Sequence, residues 1–365
     1  MKNNQRTYQF IGRFFSMAML TIGLLAFIMS CSNSSTANYK PTSAGKSDEI
    51  LWVLNDLFWE DSVGSIIHHK FMKAYDVLPQ AEPEYFLRKK NFQQFNNDII
   101  KKYRTIVLCI SREDDPQYGD IVKLFDLSES KDSSKNPIVY KNLWAEPQTV
   151  ILVVANNKEQ LVTELNRSVD EIESIIRTEE DKRTEIMVYE NGVNNDAIDE
   201  IKKRFNFQID IPSDYFVGVK NDDFMWIRKE TYTLSSNFLL YKRVLKPDEI
   251  KNGVDWNKFA LQSRALLGRT YISTRAENSY MTIEEKYAPI LQYSTQVLGN
   301  ETVLTKGLWK MENDFMGGPF VNLAWFDQST STYYMIDAYV HAPKESKKKY
   351  MRHITKILGT IKKVE

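Results

Sequence analysis

Cysteine is almost missing from this chain: only Cys31 and Cys109 occur in 365 residues. With Cys31 engaged elsewhere no intramolecular disulfide can form, so the body has to fold on its apolar core. Cys109 lies inside Ile106-Val107-Leu108-Cys109-Ile110 and is expected to be a buried, inert thiol. Histidine is nearly as scarce: His68, His69, His341 and His353. On a helix, His68 and His69 would project about 100° apart and could not clamp one metal as an i, i+4 pair does. No H-E-x-x-H, paired-cysteine or EF-hand pattern occurs, so no metal and no other cofactor is expected. Phosphate-cradling glycine loops and the G-x-S-x-G elbow are missing as well. Forty-eight basic residues balance 48 acidic ones, which is not the electrostatic footprint of a nucleic-acid binder. The longest apolar run, 14–29, falls short of the roughly 20 residues of a membrane span.

That run is nevertheless the most informative segment present. Lys2, Arg6 and Arg13 precede it without an acid, and Ser30-Cys31 closes it. A positive start, an apolar stretch and a small residue before the cut are the parts of a signal peptide, here 1–30. Ile28-Met29-Ser30-Cys31 resembles a lipobox, which makes Cys31 the expected lipid attachment point, palmitate-type chains included. Two or three acyl chains hold a protein stably on a bilayer. The polar stretch after it reads as a lipidated flexible tether over 31–48. No acid directly follows Cys31. By resemblance to lipoprotein sorting rules, this favours the outer membrane, facing the periplasm, over the cell surface or the inner membrane.

Beyond residue 48 the pattern is globular, with 42% hydrophobic residues. Residues 50–54, 106–110 and 150–154 are short runs apolar on both faces, as in strands of a sheet covered by helices on each side. Helical spacing is expected over 62–75, with Ser62 as cap, over 91–103, and over 157–183. The last repeats for barely two heptads, so it should pack on a sheet and not form a coiled coil. From 207 to 245 several strands alternate with polar turns. A helix is expected over 255–267, a meander near 308–340 with Gly317-Gly318-Pro319 in its first connection, and a closing helix from Lys344. The fold class is α+β overall, with an α/β half over 49–190 and an antiparallel α+β half over 191–365. The sequence leaves these free to merge into one unit.

The segments KPTSAGKSDEILWVLND (40–56), LPQAEPEYFL (78–87), GLWKMENDFMGGPFVNLAWFD (307–327) and YVHAP (339–343) resemble an uncharacterised Bacteroidota lipoprotein family, domain of unknown function 4837. The resemblance extends over nearly all of the chain after the leader. It implies a signal-bearing envelope lipoprotein and carries no catalytic residue with it.

The strongest candidate for recognition is the segment 309–327. Trp309, Asn313, Asp314, Gly317 and Gly318 are expected to form a recognition surface, against the plainer alternative of an aromatic-packed hairpin. The acid pairs Asp114-Asp115 and Asp222-Asp223 read as turns, and Glu179-Glu180-Asp181 as a solvated helix face. Asp61-Ser62-Val63 resembles the three-residue O-glycosylation signal of Bacteroidota envelope proteins, with Ser62 as acceptor. The basic closing helix is expected to be a solvated face or to rest on anionic headgroups. The function expected from all this is a non-catalytic binding or structural module, with an envelope protein or glycan as partner. The alternative is an envelope hydrolase whose active site is dispersed along the chain.

Overall fold

The computed structural model describes residues 39–127, 136–251 and 253–364. The expected signal peptide, Cys31 and the tether up to residue 38 lie outside the described residues.

The amino-terminal half is an α/β layer. Its sheet contains β1 (Glu49–Val53), β2 (Phe86–Lys90), β3 (Thr105–Ser111), β4 (Ile138–Lys141) and β5 (Thr149–Ala155), in the order β2-β1-β3-β5-β4. All neighbours are parallel except β4, which runs antiparallel to β5. Every residue of β1 and β3 is buried, because helices lie on both faces, as the doubly apolar runs require. Short α1 (Asp56–Trp59), α2 (Ser62–Phe71) and the long α6 (Lys158–Val188) cover one face. On the other face lie α3 (Phe92–Phe95), α4 (Asp98–Lys101) and α5 (Tyr118–Leu124).

Local chemistry departs from expectation at several points. Asp61, not Ser62, caps α2: its carboxylate accepts from the Ser62 N–H, which places Ser62 in the first turn. The single helix expected over 91–103 is two, since Asn91 and Asn97 each cap a new start. α6 is longer than its apolar stripe suggested, 31 residues and so about 46 Å at 1.5 Å per residue. Its buried line Leu161, Leu165, Ile172 and Ile176 continues as Glu180 and Arg183, two charges paired at 2.5 Å. Glu180 is therefore not part of a solvated face. The tether also ends sooner than expected. The Ser43 N–H donates to Glu146 and the Ala44 N–H to Lys102, stitching residues 42–48 onto the body.

The carboxyl-terminal half is a curled antiparallel sheet. After α7 (Asn195–Phe205) and β6 (Phe207–Gln208) come β7 (Phe216–Lys220), β8 (Phe224–Glu230) and β9 (Ser235–Val244). Then follow α8 (Pro247–Ile250), α9 (Trp256–Tyr271), β10 (Tyr280–Glu284), β11 (Leu291–Val297) and β12 (Asn300–Glu312). The chain closes with β13 (Gly317–Asp327), β14 (Thr332–His341), α10 (Lys347–Leu358) and β15 (Lys362–Lys363), which pairs with β6. The eight-stranded order is β10-β12-β13-β14-β9-β8-β7, with β11 on the free stretch of β12.

Strand alternation sorts the two faces. Val321, Leu323 and Trp325 point to the core under α7 and α10, whereas Phe320, Ala324 and Phe326 point to the core around α9. Gly317 and Gly318 are not in a connection. They sit inside β13, paired with Lys310 and Trp309, and residues 313–316 make the turn. A Cβ on Gly318 would stand 2.0 Å from the Val340 carbonyl oxygen, so glycine is needed there for close strand approach.

α10 ties the halves together. Lys348, 1% exposed, reaches Asp48 at 3.3 Å and donates to the Pro83 and Glu84 carbonyls at 2.6 and 2.9 Å. Arg352 pairs with Asp48 and, at 2.9 Å, with Glu84. Lys356 pairs with Glu185 on α6. The expected basic solvated face is thus turned partly inward, because the buried Asp48 and the more exposed Glu84 and Glu185 of the other half face it.

Candidate functional site

Four connections meet at one end of the second sheet: β8–β9 (231–234), α9–β10 (272–279), β12–β13 (313–316) and β14–α10 (342–346). They surround a pocket of about 340 Å³ whose floor is Trp226, Ile272, Trp309, Met311 and Tyr339. This volume is at the small end of ligand-pocket sizes. Trp309 is 2% exposed and donates its indole N–H to the Val340 carbonyl at 3.1 Å, with its ring edge-on to Tyr339. It belongs to the core and reaches the pocket only as its floor, not as an exposed surface residue. Gly317 and Gly318 likewise serve strand packing. Asn313 does stand on the turn, with left-handed backbone, and its amide donates to the Asn278 carbonyl at 3.1 Å. Asp314 caps the Phe315 N–H, and its pKa is lowered by Thr274 and by that N–H.

Two large side chains stand in water at this end of the sheet: Phe315, inside the segment singled out above, and Tyr232, outside it. Phe315 and Tyr232, on separate turns, are fully exposed. Tyr232 lines the pocket directly, and Phe315 stands beside Met316, which also lines it. The signal was available in principle, since an aromatic flanked by turn-forming residues has nowhere in the core to go. On the pocket wall, Arg228 lies over the Trp226 ring at 4.9 Å and pairs with Glu230 at 2.8 Å. His341 shares a 3.2 Å hydrogen bond with the Gly317 carbonyl.

Catalytic geometry is not found here. Among the described residues no histidine hydrogen-bonds to a serine, threonine or cysteine side chain. Burial and nearby Lys349 push His353 down to about 4, so it stays neutral at physiological pH. Burial raises the Cys109 thiol, which is consistent with an inert core residue. Among the described residues there is no group of three or more His, Cys, Asp or Glu side chains that could hold a metal ion.

The carboxyl edge of the parallel strands, where open α/β sheets commonly bind ligands, is occupied by structural bonds. Asp115 accepts from the Ser111 N–H at 2.6 Å and from Asn55 at 3.1 Å, while burial raises its pKa. Asp114 accepts from the Ser111 hydroxyl and from the Lys158 N–H. In the other half, Asp222 and Asp223 sit in the turn between β7 and β8, as expected.

The architecture defines a class: a two-sheet α/β plus α+β protein with an aromatic-floored pocket at one end of its second sheet. Over residues 194–360 the chain carries the domain described as Domain of unknown function (DUF4837), the family its sequence resembles. Residues 43–188 match a second family, Domain of unknown function (DUF8532), so the resemblant segment at 78–87 and most of that at 40–56 fall in a different family. No curated protein matches the chain. Among solved structures it is similar to LpqN, involved in cell envelope biogenesis of Mycobacterium tuberculosis, at 10% identity and a TM-score of 0.26, covering 43% of this chain and 83% of that one. It is also similar to the human StarD13 (DLC2) lipid transfer and protein localization domain, at 13% identity and a TM-score of 0.20, covering 46% and 94%. Scores this low carry no inference for this chain.

Proposed function

We propose that this is a lipoprotein of the bacterial envelope, acylated at Cys31 and held on the outer membrane facing the periplasm. It binds an envelope protein through the loop end around Phe315 and Tyr232 and performs no catalysis of its own. One observation carries the binding assignment: two fully exposed aromatics stand at one end of the sheet, Tyr232 lining a pocket with an aromatic floor and Phe315 on the turn whose Met316 lines the same pocket. Exposing such rings costs solubility with no gain in packing, whereas aromatic anchors set into partner pockets dominate protein interfaces. The occupant that fits is an apolar side chain of the partner, seated on Trp309 and Tyr339 while Phe315 and Tyr232 close over it.

The anchor rests on the leader and lipobox. No helix among the described residues is long and apolar enough to cross a membrane. Cys31→Ser is expected to move the protein from the membrane pellet to the soluble envelope fraction. Continued sedimentation with membranes would refute acylation as the anchor.

The double variant Phe315→Ala/Tyr232→Ala tests the binding face. Neither ring is packed, so the thermal midpoint should stay where it is. Crosslinked capture of the partner from solubilised membranes should fall about 30-fold or more, as the loss of a hot spot of about 2 kcal/mol implies. Undiminished capture would place the interface elsewhere, and a lowered midpoint would mean the rings are structural.

A further inference from the structure

At the far ends of β12 and β13 lies a larger cleft, of about 790 Å³, opened between the amino end of α9 and two hairpin turns. We propose that it is a second binding site, for an uncharged polyhydroxylated ligand of the saccharide type. The proposal does not depend on the Phe315 face, which is at the opposite end of the same strands.

Three observations on the lining select that chemistry. The first is rigid aromatic surface: Trp256 is stacked on Phe326 at 5.0 Å. Flat rings of this kind cover the C–H face of a sugar ring and remove it from water. The second is a set of hydrogen-bonding side chains. Gln292 donates to the Thr305 hydroxyl at 3.2 Å and to the Asn257 carbonyl at 3.0 Å, which fixes its carboxamide at the cleft wall. Asn257, Asn300 and Ser329 add amide and hydroxyl groups that can both donate and accept, as sugar hydroxyls do.

The third observation is charge. No lysine, arginine or histidine lines the cleft, so a phosphate or carboxylate ligand would meet no counter-charge. The carboxylates present are already engaged. Asp255 caps α9 through the Lys258 N–H, and Glu301 accepts from Ser294. Asp327 holds Ser329 and Thr330, which lower its pKa. A neutral ligand needs no counter-charge.

The test uses the full chain in detergent micelles, titrated by calorimetry and tryptophan fluorescence with maltotetraose, cellotetraose and tetra-N-acetylchitotetraose. Spermine and inorganic phosphate serve as charged comparators. Saturable binding of at least one tetrasaccharide is expected, weakened about tenfold by Asn257→Ala, in keeping with the loss of one hydrogen-bonding contact. Phe315→Ala should leave it unchanged. Binding of spermine or phosphate in place of the sugars, no binding of any tetrasaccharide, or full affinity in Asn257→Ala would each overturn the assignment.

Discussion

Asp337→Ala is expected to lower the unfolding free energy by about 3–5 kcal/mol, the usual cost of stranding a buried charge. Arg264 projects from the middle of α9 into the concave face of the second sheet, and Asp337 rises to meet it from β14 with Nε to Oδ1 at 2.8 Å. Arg264 is 1% exposed and Asp337 0%. Burial raises the Asp337 carboxyl and lowers the Arg264 guanidinium, and their mutual attraction opposes both shifts. The pair belongs to a polar row crossing four strands in register, Gln292–Thr305–Asn322–Asp337. Asn322 donates to the same Asp337 oxygen at 3.2 Å, and the guanidinium lies 3.6 Å over the Phe320 ring. Removing the carboxylate leaves a buried guanidinium with no counter-charge, in contact with the Phe320 ring and the Met281 sulfur. Arg264→Met/Asp337→Leu removes both charges and should recover most of the loss, since apolar replacement of a buried pair is often neutral. Urea unfolding of the two single variants and the double decides it. Single variants that cost under about 1 kcal/mol would mean that water or relaxation already screens the pair.

The second large effect is expected at Asp48, where the halves are clasped. Asp48→Asn keeps the residue's size and its tolerance of left-handed backbone (φ 63°) while deleting the charge that holds Lys348 and Arg352. Arg352 retains Glu84, but Lys348 loses its only carboxylate within salt-bridge distance and keeps the two backbone carbonyls. Burial already lowers the Lys348 pKa, and without Asp48 nothing comparable opposes that shift. A loss of about 3 kcal/mol is expected, concentrated at the junction. Because each half has its own sheet and cores, weakening the clasp should split calorimetric unfolding into two transitions and open the 189–194 connection to protease. A single transition at an unchanged midpoint would show that the halves are held by other contacts.

Much of the fold was legible from local pattern. Runs such as Val150–Val154 are apolar on both faces, and only a sheet sandwiched between helices can bury them. The alternation through Phe320–Phe326 likewise foretold its two faces. What escaped was weak alternation and ambiguous punctuation. β10 and β11 are half-exposed at the sheet's margin, so water imposes little pattern on them. Gly317-Gly318 has the same local signature whether it turns the chain or lets two strands approach closely. Only the Val340 carbonyl, 22 residues beyond Gly318, distinguishes the two cases. Trp309 looked available for recognition because composition says nothing about which side of a strand faces a helix.

By itself, then, the amino-acid sequence determined the charged-then-apolar segment that closes at Cys31, the scarcity of histidine and cysteine, and the layering of the two halves. These depend on composition and on periods of two and 3.6 residues, which are properties of neighbours along the chain. The tertiary structure decided which charges would meet, Arg264 with Asp337 and Lys348 with Asp48, and which aromatics would be left in water, Phe315 and Tyr232. Those outcomes depend on residues tens to hundreds of positions apart arriving at the same place. No local pattern encodes that meeting, because its energy exists only once the intervening chain has folded.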